Sequence, residues 1–227
     1  MTYIDNLTNW FDKNLSTLSF DYDFPVFNFH GYQKIKATNY CNEVGFIRYC
    51  YRNCQKISQE KAFDFLVEVM QKYYKLEKAC KKDLIECYNS LNSYGNVISG
   101  KRLTTGSILA SCVDLYRKPI FYPGTSAVLN AIQYVISQES GYFFPDIDEL
   151  NDKSKNHNNF LTEKKLVNEL SWRKIDKDDI YHFYTITLNE CLNKLLHYEI
   201  YDLALCLRYH GKSICHYANY LSEGVSE

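Results

Sequence analysis

Charge of one sign is what this sequence most plainly lacks. Lys and Arg number 26 against 27 Asp and Glu, a net charge of -1. A general nucleic-acid binder needs a basic face that displaces counterions, so nucleic acid is not expected as a partner. Long apolar runs are missing too. No stretch of about 18 residues is apolar enough to span a bilayer. Pro119–Gln138 comes nearest, but Pro, Gly, Thr, Ser, Asn and two Gln break it. No membrane partner is expected. The opening residues, MTYIDNLTNWFDKN, lack the basic n-region and apolar h-region of a signal peptide. No internal repeat is visible.

A disulfide framework is missing as well. The nine cysteines, at 41, 50, 54, 80, 87, 112, 191, 206 and 215, are odd in number and lie mostly within helical patterns. A small secreted domain is patterned differently. Reduced thiols acting as small buried apolar side chains suit a cytoplasmic protein, and that location is the expectation.

Aromatics are what the chain has in quantity: 21 Tyr, 13 Phe and 2 Trp, against only 2 Met. Tyr joins an apolar body to a polar tip and suits half-buried and interface positions. Two accounts stay open: a coding bias that also enriches Asn, Lys and Ile, or a binding surface built on Tyr.

Pro119–Gln138, PIFYPGTSAVLNAIQYVISQ, is the longest run without a charge. A solvated segment of that length would carry several, so the run belongs in the core. Pro123–Gly124 reads as a turn, Thr125 or Ser126 as a helix cap, and Ala127 and Ala131 as positions where another helix approaches closely. Gly141 ends the helix.

Around this centre the apolar spacing predicts helices. Ile4, Leu7, Trp10, Phe11 and Leu15 share one stripe of a helix over 3–17. Residues 20–31, FDYDFPVFNFHG, alternate at a strand period until Pro25 interrupts, and form an aromatic arm. Residues 33–56 read as helix. Ser58 caps a long helix over 59–92, with Glu68–Lys72 and Glu77–Lys81 paired on its exposed face. Its length of about 50 Å far exceeds the usual helix, which leaves room for a break near Lys78–Lys82. A helix over 105–117 buries Ile108, Leu109, Cys112, Leu115 and Tyr116. Residues 145–160, PDIDELNDKSKNHNNF, are polar and read as a loop, with a short helix near 162–171. Asp176 opens the last helical region, whose stripe includes Leu188, Cys191, Leu192, Leu195 and Leu196. A second helix starts near 199, and Gly211 ends or bends it. The expected fold is all-α: a single irregular domain over 1–227, of about six to nine helices with little or no sheet. An arm over 1–31 packs outside it, and the loop 145–160 separates two helical halves.

Candidate chemistry clusters late. Arg208, His210, Cys215 and His216 are the residues an enzyme would use, since Arg and His on one helical face can hold a phosphodiester and move its proton. The spacing does not match a ribonuclease pair. Cys215 and His216 are adjacent, so on a helix they point about 100° apart and form no dyad. Gly211-Lys212-Ser213 imitates a phosphate loop, but the earlier Gly would fall at Cys206. Cys50 and Cys54, with or without Cys41, could offer thiolates to zinc, but a second short pair is missing. The acidic groups at Asp21 and Asp23, Asp146 to Glu149 and Asp176 to Asp179 lie where carboxylates cap helices. No cofactor and no metal are expected.

Three functions remain open. The favoured one is a non-catalytic protein that binds another protein, as an inhibitor or an immunity protein neutralising a toxin. Its contact residues would be Tyr22, Phe24, Phe27 and Phe29 on the arm. The alternatives are a metal-independent nuclease or other hydrolase using the late His and Arg residues, and an effector-type interaction protein. The balance is against an enzyme, because no catalytic spacing survives comparison with known geometry.

Overall fold

The computed structural model describes residues 2–17, 43–74, 76–94, 103–113, 118–145 and 161–223, with backbone alone at 43 and 91–94. Among these residues are eight α-helices: α1 (Tyr3–Leu15), α2 (Glu43–Ile57), α3 (Gln59–Glu68), α4 (Lys81–Tyr94), α5 (Leu103–Val113), α6 (Thr125–Ile136), α7 (Ile180–Leu192) and α8 (Ile200–Ser222). Two π-helical turns, Val69–Tyr73 and Lys164–Glu169, accompany them. Two strands of two residues each, β1 (Tyr142–Phe143) and β2 (Arg173–Lys174), pair in parallel. The fold is all-α with a minimal sheet. None of its described helices is long and apolar enough to cross a membrane.

The chain falls into two compact units. One combines Met1–Leu18, Ser99–Thr104 and Phe121–Glu227; the other combines Ser19–Ile98 and Thr105–Ile120.

In the second unit α2 and α3 pack on one another, and α4 lies beside α3. Ser58 caps α3 as expected, its side chain accepting from the Lys61 amide at 3.1 Å. The long helix predicted over 59–92 is two helices. α3 widens into the π turn, where the Tyr74 amide reaches back five residues to Val69, and residues 76–80 lead into α4. Lys81 shows the consequence. In one continuous helix it would stand about 25 Å along the axis from Asp64. Instead its Nζ lies 2.9 Å from Asp64 and 2.8 Å from Glu60. The expected pairing with Glu77 is replaced, because 77 lies in the turn and the four-residue spacing is no longer helical. Glu68 and Lys72 do pair. The interior is Phe63, Phe65, Leu66, Met70, Leu84 and the apolar face of α2. Phe63 meets Tyr88 edge-on at 5.6 Å.

In the first unit α6 packs against α8, and α1 lies against α6, α7 and α8. Thr2 closes the start of α1 with a capping box to Asp5, and Leu7, Phe11 and Leu15 form its buried stripe. Lys194 holds Asp5 at 2.7 Å, and that bond keeps the Asp5 carboxyl well below the usual carboxylate range. α7 ends at Leu192, before the predicted stripe does. Leu195 is therefore buried, but Leu196 turns out to solvent at 78% exposure. His197 takes a left-handed backbone, φ 76°, in the tight connection to α8, a conformation that non-glycine residues rarely adopt.

The charge-free run forms the turn and helix expected of it, with two corrections. Its helix is capped by neither Thr125 nor Ser126. Gly124, at φ 83°, occupies the cap position, and Thr125 and Ser126 are already helical. The helix also ends at Ile136, before Gly141. Gly141 has a different use: a Cβ there would lie 2.8 Å from the Trp172 ring.

Asn130 and Gln133 on α6 are buried at 2% and 5% exposure, yet both are polar. Each amide side chain behaves like a strand's peptide group. Asn130 donates to the Phe144 carbonyl and accepts from the Phe144 amide, both at 2.9 Å. Gln133 donates to the Tyr142 carbonyl at 2.9 Å and accepts from its amide at 2.7 Å. On the other edge, Gly141 and Phe143 carbonyls accept from Arg173 and Ile175. The segment 141–144 is thus bonded on both edges, by β2 and by two side chains of a helix. Spacing makes this work. Residues three apart on a helix share a face about 4.5 Å apart, and strand residues two apart are about 6.6 Å apart, a gap that flexible amides bridge.

Candidate functional site

Helix α8 carries every described residue that the sequence offers for catalysis. Its first turns, Ile200–Leu207, are buried all round, as the sequence IYDLALCL demands of a helix apolar on every side. Asp202 is the exception in type. Its Oδ2 accepts from the Glu199 amide at 2.8 Å and closes the start of the helix. Burial pushes its carboxyl up, against the lowering effect of that bond.

From Arg208 onward the helix is one-sided. Gly211 is buried and lies against α6 so closely that a Cβ would stand 2.5 Å from Val128 Cγ2. This glycine does not end the helix, which runs on to Ser222; it lets the two helices touch. Cys215 and Ala218 continue the buried face. Tyr209, Lys212, Ser213, His216, Tyr217 and Tyr220 are all exposed. At 100° per residue they occupy an arc of about 140°.

The four candidate catalytic residues do not converge on this helix. Arg208 is half-buried and stacks its guanidinium on Tyr122, 4.9 Å from the ring centre. His210 faces α1: its Nε2 lies 3.4 Å from Thr17 Oγ1, and its ring meets Trp10 edge-on at 6.3 Å. Cys215 is buried, and loss of solvent pushes its thiol up to about 11, far from the thiolate a nucleophile needs. His216 is exposed. His210 and His216, six positions apart, point about 120° from each other.

The other thiols behave as buried apolar groups. Burial raises Cys112 and Cys206 to about 12, and Cys50 to about 12 as well. Cys80 is the exposed one among the described cysteines, with its sulfur 3.1 Å from Asp83 Oδ2. Cys54 is buried and Cys50 half-buried on α2, while Cys41 lies outside the described residues. Among the described residues no three His, Cys, Asp or Glu side chains gather where they could hold a metal.

Tyr22, Phe24, Phe27 and Phe29, the expected contact residues of the arm, lie outside the described residues. What the sequence reading missed is the exposed tyrosine face of α8. Its signal was present: from 209 the solvent-facing residues recur at three and four, the spacing of one helical face. It was hidden because the same segment also holds His and Cys, which draw attention to chemistry.

The fold and this face define the chain as an all-α multi-helix protein with a surface-exposed aromatic stripe. Comparison with protein families, with curated proteins and with solved structures gives no match.

Proposed function

We propose that this is a non-catalytic, cytoplasmic protein that binds another protein in fixed stoichiometry, of the inhibitor or immunity type that neutralises a toxin. The observation that supports it is the α8 face. Tyr209, Tyr217 and Tyr220 are 47%, 51% and 38% exposed on one side of a helix whose other side is core. Tyr is enriched at the centres of protein interfaces, where it contributes large contact area for few rotatable bonds. From Tyr209 to Tyr220 Lys212 is the only Lys, Arg, Asp or Glu, so the partner surface this face complements carries no excess of positive charge. The stripe is about 17 Å long, the length of a small interface core.

The test is affinity capture with the full chain, followed by measurement of partner stoichiometry and of turnover on RNA, DNA and esters. One partner at one-to-one, lost on changing Tyr217 and Tyr220 to Ala, is the expected result. Each anchor of this kind is worth roughly tenfold or more in affinity. Turnover abolished by His210→Ala would overturn the reading in favour of a hydrolase.

A further inference from the structure

Helix α2 has one side with a plain structural duty and one without. Val44, Ile47, Tyr51 and Cys54 are buried along a single stripe, and the helix packs on α3. The other side carries Tyr49, Arg52, Asn53, Lys56 and Ile57 within an arc of about 140°. Arg52 and Lys56 are exposed, and beside them Tyr49 and Ile57 are 41% and 57% exposed. From Val44 to Gln59 there is no Asp or Glu. Arg48, Arg52 and Lys56 follow one another at four-residue intervals, and like charges at that spacing weaken a helix. Lys72 and Lys81 of the same unit are answered by carboxylates, of Glu68 and of Glu60 and Asp64. Arg52 has no ion pair among the described residues, and Lys56 Nζ donates to the neutral Asn53 Oδ1 at 3.2 Å.

Side chains four apart form ridges along a helix. Arg48, Arg52 and Lys56 make one cationic ridge, rising about 6 Å per step. Tyr49, Asn53 and Ile57 make the next, apolar at both ends. The groove between two such ridges accepts a ridge of a second helix, crossing at about -50°. The cationic ridge asks for carboxylates on that helix, and the exposed Tyr49 and Ile57 ask for apolar atoms beside them. A nucleic-acid backbone offers the charge without the apolar row. The chain, at a net charge of -1, also has no general basic field to hold one.

We propose that the outer face of α2 docks an acidic amphipathic helix of a partner protein. Carboxylates one turn apart on that helix meet Arg52 and Lys56, and an adjoining apolar row covers Tyr49 and Ile57. This face belongs to the second unit and the α8 tyrosine stripe to the first, and neither needs the other.

The experiment titrates the full-length protein into a fluorescent alanine-based peptide and follows its anisotropy. The peptide has about 20 residues, enough to form a helix, with Glu at every fourth position and Leu in the adjoining row. A second peptide carries Lys in place of each Glu. Saturable binding of the Glu peptide, weakening as salt rises, is expected, with little binding of the Lys peptide. Arg52→Glu combined with Lys56→Glu weakens binding of the Glu peptide about tenfold or more and gains binding of the Lys peptide. Ile57→Ser weakens the Glu peptide about tenfold. These residues are exposed, so the variants keep the wild-type unfolding midpoint, and Tyr217→Ala leaves peptide binding unchanged. Four results would each overturn the proposal: no saturable binding, equal binding of the two peptides, a charge-reversed chain that gains nothing for the Lys peptide, or single-stranded RNA binding more tightly than the Glu peptide.

Discussion

Helices α6 and α8 lie against one another and solve the same problem differently. Each must bury polar atoms. In α6 they belong to neutral amides, and Asn130 and Gln133 spend both of their hydrogen-bonding groups on the main chain of Tyr142 and Phe144. In α8 the buried polar group is an acid, Asp202, which satisfies one amide and still has its charged form disfavoured by burial. The difference teaches what neutrality is for. An amide can donate and accept at one place, so it replaces a whole strand neighbour. A carboxylate only accepts when ionised, and burial opposes its charge.

The sharpest way to break this comparison is to remove an amide. Asn130→Leu leaves both the N–H and C=O of Phe144 buried without partners, at about 1–3 kcal/mol each. The unfolding midpoint in urea should fall by the equivalent of several kcal/mol. A loss under about 1 kcal/mol would mean that the side-chain pairing does not hold the segment.

Gly211→Ala tests the contact between the two helices. Its new Cβ lies 2.5 Å from Val128 Cγ2, and such overpacking costs about 1–3 kcal/mol. Val128→Ala in the same chain should recover most of that loss. If the two substitutions add without recovery, the glycine matters for another reason.

Asp202→Asn asks whether the acid in α8 is better replaced by an amide. The folded carboxyl titrates above its unfolded value, so folding favours the protonated form. Its contribution is greatest below about pH 4, the unfolded carboxylate value, and declines as pH rises through the folded pKa. The variant keeps an acceptor for Glu199 N–H and removes the charge. It should match the wild type within about 1 kcal/mol in acid and gain on it as pH rises. A loss that grows as pH rises would show that the charge itself supports the helix start.

The smallest effect concerns thiols, and it separates surface from core. With an alkylating reagent at mild pH, Cys80 should react first among the eight described cysteines. Cys112, Cys206 and Cys215 should wait for unfolding, since burial holds them at about 11 to 12. Mapping the modified peptides by mass spectrometry gives the order, and early labelling of Cys215 would reopen its case as a nucleophile.

Much of this was legible in the residues. The helical stripes of α1, α2 and α8, the Ser58 cap and the buried place of the charge-free run follow from spacing and polarity, which act locally. The break after α3 was legible only as excess length. The run MQKYYKLEKAC contains no proline or glycine to mark a stop, and the place of α4 beside α3 is stabilised by contacts such as Lys81 with Glu60 and Asp64 that lie far apart in sequence. The same holds for the candidate sites. That Arg208, His210, Cys215 and His216 share one segment was plain. That Arg208 goes to Tyr122, His210 to Thr17 and Trp10, and Cys215 to the core depended on which elements pack on each side of α8.

By itself, then, the sequence determined the all-α class, the buried charge-free helix and the amphipathic second half of α8, because periodicity sets which face leaves water. Tertiary structure decided three other things. It made Asn130 and Gln133 substitute for a strand, set Gly211 against Val128, and brought Lys81 to Glu60 and Asp64. Each of these is a contact between residues distant in the chain, and no local pattern encodes where a distant partner will stand.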